Sequence, residues 1–143
     1  AMMQSMRNTY GVLARRMELF RGLSPEDVAR LFAKGRVEEH AAAAQIFSKG
    51  DPGDKMYVIL NGNVLIVDNG RVLATLNRGD MFGEMALVSR TPRSADARAA
   101  SDTTVLSLGL DDLCRTLPAE ITSQILVNII ITLSMRLRRA NAE

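Results

Sequence analysis

The chain has 143 residues, of which 47% are hydrophobic and 24% are charged, so it is long enough for a self-supporting core and is neither disordered nor fibrous in composition. Its 18 basic and 16 acidic side chains leave a formal charge of +2, which is too small to indicate nucleic-acid binding. One cysteine excludes a disulfide framework, and one cysteine with one histidine cannot form an ordinary zinc site, so we predict no metal and no resident cofactor.

The sequence lacks the features of a signal peptide. Its longest apolar stretch, 121–135, contains several polar side chains and is shorter than the roughly 20 apolar residues of a membrane span. We therefore expect no membrane span and a cytoplasmic location. Ala1 before Met2 resembles a cloning remnant, and we expect an excised regulatory domain.

The N-terminal part of the chain predicts two helices. Residues 1–9 show no periodic pattern and are expected to be irregular, whereas a short helix is expected over 10–22. The second helix has a clear start, because Ser24 is a good N-cap and Pro25 suits the first helical position. Gly35 is placed to end this helix in a left-handed conformation.

Between Arg36 and Gly109, short apolar runs alternate with turn signals about every eight to twelve residues, which is typical of β-strands. Asn69-Gly70 is the strongest hairpin signal, because both residue types tolerate positive φ. About seven strands of this spacing predict a β-sandwich or a jelly roll. The expected strands cover 44–48, 56–60, 64–67, 72–76, 95–99 and 104–108.

The helical pattern returns near the C-terminus, first over 111–116 and then in a long helix over 118–139. Its apolar surface is wider than one core requires, which predicts that the helix packs both on the strands and on a second subunit or domain. The alternative is a helix lying in a deep groove of its own domain. The residues expected on the apolar side are Ile121, Ile125, Leu126, Ile129, Ile130 and Leu133, extended by Val127 and Ile131.

One segment interrupts the strands and carries the chemistry. Residues 83–87 begin with a glycine and can form a single helical turn, whose free N–H groups attract an anion. Arg93 follows Pro92 and can hold the same anion with two charged hydrogen bonds. A phosphate repels the carboxylate of Glu84, so Glu84 is better suited to sugar hydroxyls. Together these residue types predict a site for a nucleotide monophosphate.

This segment resembles the phosphate-binding cassette of cyclic nucleotide-binding domains. The resemblance is carried by Phe-Gly-Glu-Met-Ala-Leu at 82–87 and Pro-Arg-Ser-Ala at 92–95, which have the glycine, carboxylate and arginine of the cassette at the family's spacing. It extends over about 19–139. It includes the family's N-terminal motif at 20–24 and its glycine-rich turn at 50–57.

The resemblance implies a mainly β fold, an eight-stranded jelly roll (a double-stranded β-helix) with N-terminal helices and C-terminal lid helices. We expect a single domain over 1–143. Its N-terminal helices cover 10–35, its β-roll covers 36–109 with the cassette at 79–95, and its C-terminal helices cover 110–143.

The resemblance also implies roles for individual residues. Gly83 and Ala86 offer backbone amides near the phosphate and ribose. Glu84 holds the ribose 2′-hydroxyl, and Arg93 pairs with the exocyclic phosphate oxygens. Ser94 adds a hydroxyl near the phosphate and can reach a purine in the syn conformation. Further ligand contacts or apolar pocket lining are implied for Val64, Met81, Phe82 and Met85.

Structural alternatives remain for these residues. Glu84 can instead interact with the dipole at a helix N-terminus, and Arg93 can be a solvated surface residue. Ser94 can satisfy the backbone at a strand start. Met81, Phe82 and Met85 can be plain core residues.

Members of the family often cap the base with an arginine or an aromatic residue on the last helix. The last helix of this chain has no aromatic residue, and its arginines Arg136, Arg138 and Arg139 lie together at the far end. Arg136 is the candidate for this contact. A solvated basic helix end, which the helix dipole favours, is the preferred interpretation of these arginines.

We therefore predict a regulatory domain without enzymatic activity that binds a cyclic nucleotide. Its C-terminal helices are expected to transmit ligand occupancy to a fused channel or transporter, or to a second copy in a homodimer. We expect the ligand to be cAMP and not cGMP, because the sequence resembles bacterial members of the family. No individual residue indicates this choice. The alternative is the effector domain of a catabolite-activator-type transcription regulator whose DNA-binding part is absent, because this sequence supplies no recognition helix and hence no nucleic-acid contact. A cupin-like metalloenzyme is disfavoured, since His40 is the single histidine.

Overall fold

The described chain begins and ends in helices, with the strands between them. The computed structural model describes residues 2–87, 91–109 and 111–142. The elements in chain order are α1 (Met2–Arg16), a first 3₁₀-helix (Glu18–Phe20), α2 (Pro25–Lys34), β1 (Arg36–His40), β2 (Gln45–Phe47), β3 (Lys55–Asn61), β4 (Val64–Asp68), β5 (Arg71–Leu76), β6 (Met81–Phe82), a second 3₁₀-helix (Glu84–Leu87), β7 (Asp96–Ala99), β8 (Thr103–Gly109), a π-helix (Asp112–Thr116) and α3 (Ala119–Ala142).

The strands form two four-stranded antiparallel sheets, with the orders β1-β8-β3-β6 and β2-β7-β4-β5. The prediction of a mainly β fold with eight strands is confirmed. Each strand expected from the sequence lies within about two residues of an observed one. The two-residue strand β6 was expected only as part of the cassette, because it is too short to show a period.

Two apolar clusters hold these layers together. The first lies between the two sheets, and the second lies between the first sheet and the helices. Side chains of β3 serve both clusters, since neighbouring residues of a strand point to opposite faces. The first cluster contains Tyr57, Ile59, Val64, Phe82, Ala97 and Val105, and the second includes Phe20, Leu31, Met56, Val58, Met81, Leu106, Ile121, Ile125 and Ile129.

Several local predictions can be compared directly with the backbone. The Oγ of Ser24 accepts a hydrogen bond from the backbone N–H of Asp27 at 3.1 Å, which confirms the N-cap. Asn69 and Gly70 have φ values of 51° and 78°, which confirms the hairpin turn. The left-handed end at Gly35 is wrong, because its φ is −87° and its ψ is −171°. A Cβ at this position would lie 2.7 Å from Leu108 Cδ2, so the glycine permits close approach to β8.

The N-terminal prediction is also wrong in its bounds. The structure has a helix, α1, from Met2 to Arg16, where residues 1–9 were expected to be irregular and the helices were expected to begin at residue 10. Packing against α2 supports α1, with Tyr10 and Phe32 ring centroids 5.4 Å apart. Burial of one face thus stabilises a helix that has no clear period in its first turns.

Helix α3 buries only part of the apolar side that the sequence predicted. Ile121, Ile125 and Ile129 are buried as expected, whereas Leu126 and Ile130 are exposed. The reason is a buried polar side chain. The Nδ2 of Asn128 donates to the backbone oxygens of Leu19 at 2.8 Å and Arg21 at 2.7 Å, and these bonds turn the Asn128 side of α3 inward.

The apolar character of α3 also bears on the expectation of no membrane span. Residues Ala119–Asn141 are long and apolar enough to cross a membrane by length and composition. A helix that packs on a core meets the same criteria, and α3 packs on the second cluster through Ile121, Ile125 and Ile129.

Candidate functional site

A cavity of about 370 Å³ lies between the cassette, the second sheet and α3. This volume is within the usual range of small-molecule sites, about 300–1,000 Å³. Most of its lining is apolar, with a few polar side chains at one end. The lining residues are Phe47, Ile66, Ala74, Leu76, Phe82, Gly83, Glu84, Met85, Thr91, Pro92, Arg93, Ser94, Ala95 and Arg136.

The cassette turns sharply at Gly83, immediately before the second 3₁₀-helix. Gly83 has a φ of +75°, which a side chain rarely permits, and a Cβ there would lie 3.0 Å from Arg93 Nη1. The helix that follows includes the backbone of Ala86, whose side chain is outside the described part of the structure. The first N–H groups of such a turn have no partner within the helix, so they are available to an anion.

Arg93 is buried at the polar end of the cavity, with 8% of its surface exposed. Its Nη1 donates to the backbone oxygen of Gly83 at 3.1 Å, and its Nη2 donates to the backbone oxygen of Lys55 at 2.6 Å. Its Nε is buried without a hydrogen-bond partner. Among the described side chains, no carboxylate forms an ion pair with Arg93. The site therefore contains a buried cation whose charge is not balanced, a costly arrangement that an anion would relieve.

Glu84 is equally buried, with 7% of its surface exposed. Its Oε1 lies 3.2 Å from Nη1 of Arg136, and Nη2 of Arg136 donates to the backbone oxygen of Met81 at 2.7 Å. The preferred interpretation of a solvated helix end is thus wrong for Arg136, because its guanidinium bonds Glu84 and Met81 at the cavity. The structure brings Arg136 of α3 to the cavity beside Glu84 and Arg93 of the cassette, from which Arg136 is distant in the sequence.

Two of the predicted lining residues do not line the cavity. Val64 and Met81 are completely buried, so they present no surface to it. On β4, Ile66 is the lining residue, because it lies two residues further along the same face and nearer to the cassette. On β6, Phe82 faces the cavity and Met81 points to the opposite face, into the cluster beneath the helices.

Ser94, Met85 and Phe82 lie at the cavity. Ser94 is exposed and lies in its wall. Met85 lines the cavity and has 54% of its surface exposed, so the alternative of a plain core residue is wrong for it. Phe82 is both a lining residue and a core residue, since it lines the cavity and belongs to the cluster between the sheets.

The sequence did not reveal the apolar wall. Phe47, Ile66, Ala74 and Leu76 come from β2, β4 and β5, and only sheet pairing brings them beside the cassette. Their alternation within strands indicated an inward face, but it could not show which end of that face is open. Thr91 also lines the cavity and was overlooked between the two halves of the cassette.

Tyr57 lies beneath the polar end of the cavity. Burial raises the pKa of the Tyr57 phenol above its ordinary value of 10.0, and the charge and hydrogen bonding of Arg93 act in the opposite direction. The phenol therefore stays neutral at physiological pH. Within the described residues, there is no group of three or more side chains suited to hold a metal.

Known proteins are similar to this chain in sequence. The chain is 35% identical over 133 residues to the cyclic AMP receptor protein of Thermus thermophilus, which covers 87% of this chain and 59% of that protein. It is 36% identical over 109 residues to a cyclic nucleotide-gated potassium channel of Mesorhizobium japonicum, which covers 74% of this chain and 30% of the channel. The chain thus spans less than two thirds of these relatives.

A solved structure shows the same fold. The cyclic nucleotide-binding domain from Methylobacillus flagellatus superposes with a TM-score of 0.80 at 25% identity, covering 94% of this chain and 80% of that one. The eight strands therefore form the jelly roll expected from the sequence. The family model described as "Cyclic nucleotide-binding domain" matches residues 37–118, which is more than half of the chain. Since that match contains the cassette, its glycine turn and the buried arginine, the chain belongs to the cyclic nucleotide-binding domain family.

Proposed function

We propose that this chain binds a cyclic nucleotide monophosphate in the cavity beside Arg93. The observation that carries the proposal is the buried guanidinium, which has an unpaired Nε and no carboxylate partner among the described residues. A phosphodiester supplies the missing negative charge, and charge-assisted hydrogen bonds to it are roughly twice as strong as neutral ones. The volume of about 370 Å³ accommodates a small nucleotide.

The other contacts follow from the placement of the residues around Arg93. The backbone amides of Gly83 and Ala86 and the hydroxyl of Ser94 complete the phosphate site, and Met85 covers its open side. Glu84 accepts a hydrogen bond from the ribose 2′-hydroxyl, because its buried carboxylate is repelled by a phosphate and is stabilised by a neutral donor. The base lies along the apolar wall of Phe47, Ile66, Ala74 and Leu76.

Among cyclic nucleotides, we propose cAMP in preference to cGMP. The support is the Thermus relative, whose name is cyclic AMP receptor protein. The cavity contains no described carboxylate besides Glu84, which is committed to the sugar. The base wall is otherwise apolar and suits either purine, so the preference rests on the relative.

Occupancy reaches the rest of the protein through Arg136 and α3 in this proposal. A ribose bound to Glu84 competes with Arg136 for the carboxylate, so the ligand changes the relative stability of conformations that differ at α3. Arg136 is then free to face the base. This role is regulatory and not enzymatic.

The output partner binds the outer face of α3. This face exposes a group of large apolar side chains, which costs free energy unless a second surface covers it. The channel relative supports a fused membrane-protein partner on the cytoplasmic side, which we favour. The Thermus receptor supports the alternative, a dimeric effector domain of a catabolite-activator-type regulator whose DNA-binding part lies outside this sequence. The exposed residues are Leu126, Val127, Ile130, Ile131, Met135 and Leu137.

Calorimetric titration tests the binding proposal directly. Separate titrations with cAMP, cGMP and a cyclic dinucleotide are expected to show saturable binding of one cyclic mononucleotide, and tighter binding of cAMP than of cGMP. The open-ring 5′-monophosphate serves as the matched control and is expected to bind more weakly, because its phosphate carries an additional negative charge and is no longer held by the 3′-oxygen. Absence of saturable heat with both cyclic mononucleotides, for protein shown to be folded by circular dichroism, would overturn the proposal.

A further inference from the structure

The aromatic residues of this chain are few and unevenly distributed. The sequence has two tyrosines, four phenylalanines and no tryptophan. Phe47, Tyr57 and Phe82 meet in one cluster beneath the cavity, although they come from three different strands. The Tyr57 and Phe82 rings stack with centroids 4.9 Å apart and planes inclined by 13°, and the Phe47 ring lies 5.9 Å and 6.0 Å from them.

The Arg93 guanidinium lies directly over this cluster. Its central carbon is 4.2 Å from the ring centroid of Phe47 and 5.8 Å from that of Tyr57. Both distances are within the range of about 6 Å in which a cation is attracted to an aromatic face. Phe47 lines the cavity as well, so one ring both belongs to the apolar wall and contacts the cation.

An aromatic ring holds a cation in a way that a carboxylate cannot. A carboxylate would occupy the in-plane N–H groups of Arg93, which are the groups that a phosphate needs. A ring instead attracts the face of the guanidinium and occupies none of its N–H groups. One N–H group of Nη1 and one of Nη2 donate to the backbone oxygens of Gly83 and Lys55, and the others are left for a phosphate. This agrees with the unpaired Nε and with the absence of a carboxylate partner among the described side chains.

We propose that Phe47 is a positioning residue for nucleotide binding: its ring, supported by Tyr57 and Phe82, holds the Arg93 guanidinium in place. The N–H groups of Arg93 that do not bond the backbone oxygens of Gly83 and Lys55 are thereby left to the phosphate. The inference rests on the proposed function for its ligand. The position of the guanidinium itself is a property of the ligand-free protein, so it can be tested separately.

The first measurement is the affinity for cAMP. Phe47→Leu keeps apolar volume but removes the ring, and we expect about tenfold weaker binding, since a partly desolvated cation–π contact contributes on that order. Phe47→Tyr keeps the ring and is expected to restore most of the affinity. Phe32→Leu alters the other aromatic cluster, near Tyr10, and is the matched control that leaves affinity unchanged.

The second measurement needs no ligand and distinguishes positioning from packing. In a Tyr10→Phe background, Tyr57 is the single remaining tyrosine, and ultraviolet difference absorbance reports its pKa. Arg93 lowers the pKa of Tyr57, so displacement of the guanidinium must raise it. Loss of packing alone would expose the phenol and lower the pKa, which is the opposite sign.

The expected result is a rise of the Tyr57 pKa in Phe47→Leu, toward the value in Arg93→Met, and no further rise when the two changes are combined. An unchanged or lower pKa in folded Phe47→Leu would overturn the inference. Phe47→Met provides a second test if the leucine variant does not fold. If the unaltered protein binds no cyclic nucleotide, the proposed function fails, whereas the titration still shows whether Phe47 positions Arg93.

Discussion

The guanidinium of Arg136 reaches the carboxylate of Glu84 across 52 residues of sequence, with Nη1 3.2 Å from Oε1. The same guanidinium donates through Nη2 to the backbone oxygen of Met81 at 2.7 Å. The last helix is thereby attached to the cassette at the residue proposed to bind the ribose. A ligand that hydrogen-bonds to the Glu84 carboxylate must alter its contact with Arg136. This competition gives the regulatory proposal its physical basis.

Removal of this attachment is expected to destabilise the protein. Arg136→Ala deletes two charge-assisted hydrogen bonds and leaves a buried carboxylate without its cation, so we expect the free energy of unfolding to fall by about 1–3 kcal/mol. Urea unfolding monitored by circular dichroism measures the change. Arg138→Ala, an exposed arginine on the same helix, is expected to change stability by no more than about 0.5 kcal/mol. Equal losses in the two variants would show that the Glu84 contact contributes nothing.

Arg93→Ala is expected to weaken cyclic nucleotide binding by several kcal/mol, because it removes the buried cation that faces the phosphate. Calorimetric titration against the unaltered protein measures this loss. Arg71→Ala provides the matched control, since Arg71 is exposed on β5 and its loss is expected to leave the affinity unchanged. Unchanged affinity in Arg93→Ala would remove the phosphate role from this residue.

Glu84→Gln tests the ribose contact and is expected to cost less than Arg93→Ala. A neutral amide still accepts a hydrogen bond, but it lacks the charge that strengthens a bond to the 2′-hydroxyl. A 2′-deoxy cyclic nucleotide should therefore bind the unaltered protein more weakly than the ribonucleotide. In the Glu84→Gln variant, the two ligands should bind almost equally. If removal of the 2′-hydroxyl lowers the affinity equally in the unaltered protein and in Glu84→Gln, Glu84 does not bind the sugar.

The outer face of α3 predicts self-association or a fused partner. Ile130 and Leu137 each have 63% of their surface exposed and are among the exposed apolar side chains of α3. We expect sedimentation to detect dimers at high micromolar concentration, and Ile130→Lys to shift the protein to monomer with little change in melting temperature. Ile129→Lys is the buried counterpart on the same helix and is expected to unfold the domain. A protein that stays monomeric with and without ligand would contradict a partner copy on this face.

The sequence by itself determined the features that depend on neighbouring residues. The N-cap at Ser24, the hairpin at Asn69-Gly70 and the turn at Gly83 were predictable, because each depends on the conformational preferences of a few adjacent residues. The cassette was recognisable for the same reason. Its glycine, carboxylate and arginine lie within a short segment whose spacing is visible without a fold.

The tertiary structure decided the contacts that join distant segments. No local pattern shows that Phe47 lies under Arg93, that Arg136 meets Glu84, or that Asn128 bonds the backbone of the first 3₁₀-helix. Packing selects one face of a helix or one end of a strand by the total free energy of many burials and hydrogen bonds. The apolar character of a side chain therefore predicted that it would be buried. Only the packing of the sheets and helices determined which residues it would contact.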